Sequence, residues 1–482
     1  MSGRCASVVR GMSFGTTEAI AAVAVVAAGA AIYVGTMLLG QSAAMLVVMP
    51  LVLAVVAVAG LVLLYACFGS PAALIAFLFV AIFVNDALFR VREPGDLGLD
   101  WQNALKLGLW AGAAAVGVVH LPRSWRMLAR PMPAILLSYL GIALVSSIYS
   151  AAPSYSFGTA FGMLSLMLLA AASFVTLTEK QFLLTFALSL CAFVVAGWGV
   201  YFAIPELGRS PFITADGAII ERICGLAGQA NALGCTLATL LGVLFLLWWR
   251  GHCGLLTVAP MAAVATGTLL AADSRTALLA VMVGVAAVVA RRSLLLWGAS
   301  LLAVSLASIL VLGVPARYLL GLTSGLSRSG DGGELLTLTG RTEIWAFVWE
   351  RIKEAPWFGY GYNSSKFILP LFHGLPGLIV DEAHNTWLQN LLGTGIFGTA
   401  PLLALVAAQV AAYVVAPDPF RDLFLFVMLV WGITVAGAFG STPTVMSLAV
   451  FASHVSTAAP RRSRFPASVS APSPAALRPR SV

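Results

Sequence analysis

The feature that most constrains this chain is a succession of long apolar runs, separated by short breaks that carry charged residues, glycine or proline. A helix needs about 20 mostly apolar residues to cross a bilayer, and runs such as LLALVAAQVAAYVVA supply this repeatedly. Charged residues make up only 10% of the 482 residues, whereas soluble domains carry about 25%. The sequence therefore predicts a polytopic integral membrane protein.

The same runs favour helices over a membrane β-barrel, because barrel strands alternate polar and apolar residues over about 10 positions. We expect an all-α, polytopic bundle of about 12–14 transmembrane helices, with one long outer loop. The predicted spans are 18–39, 43–65, 71–89, 101–120, 133–149, 157–177, 181–203, 229–249, 254–272, 274–290, 293–313, 384–415, 423–440 and 442–458.

The distribution of Lys and Arg predicts the orientation, because short loops rich in these residues stay in the cytoplasm. The residues that define this side are Arg4, Arg10, Arg123, Arg126, Arg130, Lys180, Arg250, Arg291, Arg292, Arg421, Arg461, Arg462 and Arg464. Both termini are then cytoplasmic. The segments on the opposite, outer face are 90–100, 150–156, 204–228 and 314–383.

The net charge of +8 does not indicate nucleic-acid binding, because the basic residues lie in short clusters between spans rather than along one face. The six cysteines are scattered, with no CxxC pair and no metal-ligand spacing, and they are interpreted as small packing residues. The sequence thus predicts no metal, no cofactor and no nucleic-acid partner.

The long outer loop contains one segment with helical periodicity, TEIWAFVWERIKE. Its apolar positions Ile344, Val348 and Ile352 predict an amphipathic helix that lies on the membrane surface. The tryptophans Trp345, Trp349 and Trp357 suit the headgroup region. They could serve as interfacial anchors, as parts of a site, or as both.

Three arginines lie where the preference for cytoplasmic positive charge does not predict them, namely Arg222, Arg275 and Arg341. Guanidinium groups bind phosphate bidentately and stay charged, so a cluster of them suits a ligand that carries a diphosphate. Snorkelling or ion pairing is the alternative. Asp273 near Arg275 and Glu343 near Arg341 are candidate ion-pair partners.

His384 follows Asp381 and Glu382 at the start of an apolar run on the predicted outer face. An imidazole there can accept a proton near neutral pH and so act as a general base, with the two carboxylates as alternative bases. A capping or packing role is the ordinary alternative for one histidine. Asn385 and Asn231 could bind sugar or phosphate, but each stands near a helix start, where capping is the preferred interpretation.

The segment that begins at His384 resembles the signature of the O-antigen ligase and polymerase superfamily, a His-Asn pair followed after nine residues by Gly-x-x-Gly-Thr. The matching residues are His384, Asn385, Gly395, Gly398 and Thr399. Upstream, GRTEIW, APWFGYGYNS, GQANALG and DSRTALLA are similar to further motifs of this family. The ordered set covers residues from about 220 to 400, and the N-terminal half matches only as a series of apolar spans.

Members of this superfamily are inner-membrane enzymes with a GT-C-like helical bundle, and they transfer a glycan from undecaprenyl diphosphate on the periplasmic side. The resemblance implies metal-independent transfer with inversion, in which His384 activates an acceptor hydroxyl. It implies that Arg222, Arg275 and Arg341 hold the diphosphate. The implied partners are an undecaprenyl-diphosphate-linked oligosaccharide donor, a glycan or lipid A core acceptor, the lipid bilayer, and other polysaccharide assembly and export proteins.

These observations divide the chain into three parts. Residues 1–203 are N-terminal transmembrane helices, and residues 204–458 are an O-antigen ligase/polymerase-like catalytic domain with the periplasmic loop 314–383. The segment 459–482, rich in Pro, Ser and Ala, is predicted to be a disordered cytoplasmic tail. The glycines Gly393, Gly395 and Gly398 are predicted to allow close helix packing.

Competing functions stay open at this point. Polymerisation into an exopolysaccharide or O-antigen and ligation to lipid A core or to protein share their donor chemistry, and a bundle of fourteen spans favours the polymerase. A transporter or flippase of lipid-linked glycan would also be polytopic, but it should show internal repeats and interrupted helices, and no repeat is evident. A catalytically silent assembly partner would not need the Arg and His set.

Overall fold

The computed structural model describes residues 69–90, 100–213, 219–291, 341–371 and 380–458. The predicted spans 18–39, 43–65 and 293–313 and the predicted tail 459–482 lie outside these ranges. The other eleven predicted spans can be compared with the structure.

Every one of these eleven spans overlaps a helix, and the predicted amphipathic helix is also present. The helices are α1 (Pro71–Asp86), α2 (Trp101–Leu128), α3 (Pro131–Val145), α4 (Pro153–Thr176), α5 (Glu179–Ala203), α6 (Ala230–Trp249), α7 (Leu255–Ala271), α8 (Arg275–Ala290), α9 (Arg341–Glu354), α10 (Thr386–Val415), α11 (Pro419–Gly432) and α12 (Val445–Ala458). One-turn helices lie at Pro205–Gly208 and Ser365–Ile368.

Six of the described helices are long and apolar enough to cross a membrane: α2, α3 with its 3-10 extension to Tyr149, α4, α5, α6 and α10. The all-α polytopic membrane bundle predicted from the sequence is confirmed. One small addition is an antiparallel hairpin of β1 (Arg209–Ile213) and β2 (Ile219–Ile223). It lies within the segment 204–228 that the sequence places on the outer face.

Polar residues fix where several helices begin. Asp100 accepts a hydrogen bond from the amide of Asn103 at the start of α2. Thr178 and Gln181 form a reciprocal capping box at the start of α5. The side chain of Asp418 caps the first turn of α11. Such caps satisfy amides that the helix itself leaves unpaired.

Small residues let the central helices approach closely. A Cβ on Gly117 of α2 would lie 2.3 Å from the Cβ of Leu168 in α4, and one on Gly162 would lie 2.6 Å from the Trp110 ring. Lipid tails are as apolar as leucine, so close contact of this kind contributes much of helix association in a bilayer. These contacts hold α2 and α4 together in the main apolar core.

The helices alternate in direction, and the bundle therefore has two ends. The outer end holds the last residues of α1, the first turns of α2 and α6, and α9. The inner end holds the arginines that the sequence assigns to the cytoplasm, among them Arg123, Arg126, Arg250 and Arg421, which line one cavity. The terms outer end and inner end follow the orientation predicted from the sequence. The location of the two termini stays a prediction.

The apolar face of α9 packs on protein. Ile344, Val348 and Ile352 are 2%, 0% and 5% exposed, and they form a second apolar cluster with residues that include Leu369 and Leu392. This face therefore packs on the first turns of α10 rather than on lipid, and the position of the helix at the membrane surface stays a prediction. The exposed tryptophans Trp349 and Trp357 are still available to the headgroup region.

The span predicted at 423–440 is wrong from residue 433 onwards. Helix α11 ends at Gly432 and α12 begins at Val445, and residues 433–444 between them are irregular. This segment contains GAFGSTP, whose glycines and proline disfavour a helix. Its carbonyls accept side-chain hydrogen bonds instead, from Thr386 at Val435 and from Tyr362 at Ser441. Irregular backbone at membrane depth is tolerated when protein groups satisfy it.

Candidate functional site

The α10 helix is interrupted at Gly395, where φ is 62° and ψ is −163°. The loop after α9 satisfies the backbone amides that follow the break. The amide of Ile396 donates to the carbonyl of Pro356 (2.9 Å), and that of Phe397 donates to Trp357 (3.2 Å). A Cβ at Gly395 would lie 2.4 Å from the backbone of Trp357, so this position requires glycine.

The same loop bonds to the helix on the other side of the break. The amide of Tyr360 donates to Leu392 (2.9 Å), and the amide of Gly361 donates to Gly393 (2.7 Å). The upstream APWFGYGYNS motif and the glycine motif therefore form one hydrogen-bonded unit. The prediction that the glycine cluster allows close helix packing is wrong for Gly393 and Gly395, because the element that approaches them is the loop after α9 and not another helix.

His384 lies at the start of this unit, immediately before the N-cap of α10. Its backbone φ is 47°, a left-handed conformation that is uncommon and strained for a residue other than glycine. Asn385 caps the helix by accepting hydrogen bonds from the amides of Trp387 (2.9 Å) and Leu388 (3.1 Å). The capping role predicted for Asn385 is confirmed, and the cap fixes the backbone that carries His384.

Two further side chains hold the residue before His384 in place. The indole of Trp345 in α9 donates to the carbonyl of Ala383 (2.9 Å). The amide of Ala383 donates to the side chain of Gln389 (2.9 Å), which is 1% exposed. Gln389 also donates to the hydroxyl of Ser365 (2.6 Å) and to the carbonyl of Gly440 (3.1 Å). Trp345 thus forms part of the site.

The surroundings of His384 keep its imidazole neutral. Burial lowers its pKa below the ordinary 6.5, the cationic Arg341 lowers it further, and Asp381 opposes both. Arg341 is the first residue of α9, so the helix that anchors Ala383 also brings a cation towards His384. A neutral imidazole at pH 7 has a free lone pair and can accept a proton.

Glu382, the neighbouring carboxyl, has the opposite shift. Burial and the adjacent Asp381 raise its pKa to about 7, against the effect of the Lys366 ammonium. Lys366 lies 3.7 Å from Asp381. Burial alone would lower the pKa of Lys366, but Tyr155 and the two carboxyls outweigh burial and raise it, so the lysine stays charged.

Lys366 and Gln389 were missed in the sequence analysis. Lys366 meets the criterion that selected the arginines, a cation in the predicted outer loop, and applying that criterion to lysine would have found it. Gln389 is a polar residue on an apolar helix, a pattern that also points to a role inside the bundle.

The two other predicted arginines lie on different elements from His384. Arg275 is the first residue of α8, is about half exposed, and forms an ion pair with Asp273 at 3.1 Å. Arg222 lies in β2 opposite Ser210 and is 9% exposed. Within the described residues, neither shares a hydrogen bond or ion pair with His384. The ion pair with Asp273, which the sequence analysis gave as the alternative role of Arg275, is present.

The hairpin that carries Arg222 is fixed at the outer end. The amide of Leu88, just after α1, donates to the carbonyl of Leu226 (2.6 Å). Helix α6 then begins with Gln229 at its N-cap, and Asn231 lies inside its first turn. The capping role predicted for Asn231 is therefore wrong, because the helix starts one residue before it.

The sequence did not predict a polar network that joins α1, α6 and the irregular segment 433–444. Asp86 accepts hydrogen bonds from the hydroxyl of Thr236 (3.0 Å) and from the amide of Val445 (3.0 Å). Its neighbour Asn85 donates to the carbonyl of Pro443 (2.9 Å). These bonds hold the start of α12 against the two other helices.

An apolar cavity of about 240 Å³ lies beside the first half of α10. Its lining residues are Trp387, Leu391, Ile396, Thr399, Ala400 and Leu403. Among the described residues, no group of three or more His, Cys, Asp and Glu side chains is placed to hold a metal ion. Metal independence and the absence of a cofactor stay predictions.

The fold and this site define a polytopic helical membrane protein with a buried, titratable cluster at one end of its bundle. Residues 260–403 match the family model described as O-antigen ligase. The match covers less than a third of the chain, and it supports the resemblance to the O-antigen ligase and polymerase superfamily. A match of this kind supports membrane glycosyltransferase activity in general. A comparison with curated proteins found no match for this chain.

The matched segment runs from within α7 to within α10, and it includes Arg275, Arg341 and His384. Arg222 lies before it. The match does not assign roles to single residues, and the catalytic and diphosphate-binding roles of these four residues stay predictions, as does the division of the chain into three parts.

Proposed function

We propose that this protein polymerises glycan repeat units carried on undecaprenyl diphosphate at the periplasmic face of the bacterial inner membrane. The observation that carries the proposal is the position of His384, inside the segment that matches the O-antigen ligase family model, on a strained backbone and under the field of Arg341. Strained residues with shifted pKa values are frequent at functional sites.

In the proposed reaction, the hydroxyl oxygen of the acceptor sugar attacks the anomeric carbon of the donor. Neutral His384 takes the hydroxyl proton, and the bond between the anomeric carbon and the diphosphate oxygen breaks. The diphosphate leaves with that electron pair, and attack from the opposite face inverts the anomeric configuration. No metal takes part in this scheme.

The cations stabilise the charge that develops on the leaving group. Arg341 is the arginine whose charge lowers the pKa of the proposed base, and Arg222 and Arg275 contribute from other elements of the outer end. Fixed cations act most strongly on charge that appears in the transition state. A positioned general base contributes about 10²- to 10⁴-fold in rate.

Ligation of the finished glycan to lipid A core or to a protein is the alternative within the same superfamily. The name of the matched family model, O-antigen ligase, favours this alternative. Both reactions use the same donor and differ in the acceptor. The span count that favours a polymerase includes 18–39, 43–65 and 293–313, which lie outside the described residues.

Transport of the lipid-linked glycan is the alternative from a different class. The interruption of α10 at Gly395 and the irregular segment 433–444 favour it, because discontinuous helices form the binding sites of many transporters. In this protein the loop 356–361 bonds to both sides of the break, so the interruption also has a structural explanation.

The test is turnover of an undecaprenyl-diphosphate-linked repeat unit by the purified protein in lipid nanodiscs, alone and with lipid A core, with products sized on a gel. A ladder without added acceptor supports the polymerase, and product only with lipid A core supports the ligase. No turnover in either case refutes both, and a flipping assay in proteoliposomes then tests transport. His252→Gln, at the inner end, is the matched control for His384→Gln.

A further inference from the structure

The inner end of the bundle holds a large cavity that the proposed reaction does not use. Its volume is about 1370 Å³. We call it the basic cavity, and its charged lining residues are Arg123, Arg126, Arg130, Glu179, Lys180, Arg250, Asp418 and Arg421. They come from the ends of five helices or from the turns beside them, so the cavity is a feature of the folded bundle rather than of one loop.

The cations of the basic cavity fall into two groups. Arg250 and Arg421 are the buried group, and ion pairs hold them: Arg250 contacts Glu179 (3.2 Å) and Asp418 (2.8 Å), and Arg421 contacts Asp422 (2.6 Å). These pairs neutralise one another and fix the floor of the cavity.

The second group has no such neutralisation. Arg123, Arg126 and Arg130 are exposed, and Lys180 is partly exposed. Within the described residues, none of the four forms an ion pair with a carboxylate. The cavity therefore has a marked excess of positive charge, which lies on its rim.

Part of the cavity wall is apolar. Phe174, Val175 and Leu177, at the end of α4, line it beside the cations. Trp125 stands between two of the arginines in sequence and is 59% exposed, as is typical of an aromatic residue at the membrane interface. A ligand that fits both surfaces carries an anionic group and a hydrocarbon chain.

The preference for positive charge in cytoplasmic loops accounts for basic residues at this end. It does not account for their convergence on one concave surface with an apolar wall. We propose that the basic cavity binds the phosphate headgroup of an anionic phospholipid, with an acyl chain against the wall formed by Phe174, Val175 and Leu177. Basic pockets between transmembrane helices bind such headgroups in other proteins.

The test is native mass spectrometry of the full-length protein, released from nanodiscs that contain equal amounts of phosphatidylglycerol and phosphatidylcholine. We expect the wild type to retain phosphatidylglycerol selectively. The variant Arg123→Gln/Arg126→Gln/Arg130→Gln should lose about 10²-fold in affinity, because each cation near an anionic headgroup contributes roughly fivefold. The charge-preserving variant Arg123→Lys/Arg126→Lys/Arg130→Lys should keep most of the selectivity.

The control is Arg209→Gln/Arg351→Gln/Lys353→Gln, which removes the same charge from the outer end and should bind as the wild type does. Equal retention of both lipids by the wild type would overturn the proposal, and so would undiminished selectivity in the glutamine variant.

In nanodiscs of phosphatidylcholine alone, inorganic pyrophosphate serves as the soluble probe. If it binds tightly and only when the three arginines are present, while phosphatidylglycerol is not selected, the cavity binds a soluble anion and the lipid proposal fails.

Discussion

The interruption of α10 at Gly395 leads to a prediction with a calculable size. Replacing Gly395 by alanine places a methyl group 2.4 Å from the carbonyl carbon and oxygen of Trp357. These are backbone atoms, which cannot rotate away as a side chain would. At φ 62° and ψ −163° the backbone is also in a region that glycine alone adopts readily.

Two costs therefore add. Backbone strain in such a region costs about 1–3 kcal/mol, and overpacking against fixed atoms costs about 1–3 kcal/mol. We expect Gly395→Ala to lower the free energy of unfolding by about 2–6 kcal/mol, a large part of the 5–15 kcal/mol that is typical of a folded protein. If α10 straightens to avoid the strain, the hydrogen bonds from Ile396 and Phe397 to the loop are lost instead.

The assay is chemical unfolding of the purified protein in detergent, followed by the change in tryptophan fluorescence. The matched control is Gly141→Ala in α3, where an added Cβ meets nothing within 4 Å. That change should leave stability equal or raise it by up to about 1 kcal/mol, because alanine is the better helix former. If both variants unfold at the same denaturant concentration, the structural reasoning about the break is refuted.

Three further predictions concern the proposed reaction. His384→Gln should reduce product formation by about 10²- to 10⁴-fold without loss of membrane insertion, and a normal product ladder would move the base to Glu382 or Asp381. The wild-type rate should fall on the acid side only below pH 6.5, because burial and Arg341 lower the pKa of His384, and Arg341→Gln should shift this limb to higher pH. An acid limb near pH 7, the pKa of Glu382, would instead favour that carboxyl as the base. Trp345→Phe removes the hydrogen bond to Ala383 and should cost about 0.5–1.5 kcal/mol in stability and several-fold in rate. The exposed Trp349→Phe is its control, and equal effects of the two changes would contradict the positioning role of Trp345.

Much of the fold follows from the sequence because a helix that crosses the bilayer needs a run of about 20 mostly apolar residues, which hydropathy reveals. Eleven of the predicted spans could be compared, and each contains a helix. The exceptions are local and have a common cause. At Gly395 and in 433–444, the backbone groups that a helix would satisfy internally are satisfied by partners far away in sequence, which hydropathy does not reveal.

The candidate site was partly predictable for a related reason. His384 and Arg341 were selected by unusual charge and by motif, and the structure brings both to the same place. Lys366 was missed because only arginines were considered, and Gln389 because its hydrogen bonds to Ser365 and Gly440 depend on the fold. The apolar face of α9 could not be assigned to lipid or protein from periodicity alone, since both provide an apolar surface.

The hydrogen-bonded unit of the loop 356–361 and α10 has a consequence for how the protein is made. The loop precedes α10 in the chain, so during synthesis it is already available when the residues around Gly395 leave the ribosome. The backbone amides after Gly395 can then form their hydrogen bonds with the loop as they enter the membrane. They do not remain unpaired in the hydrocarbon region. A rearranged gene that encodes α10 ahead of this loop would remove that order, and such a protein should be captured more often by membrane quality control.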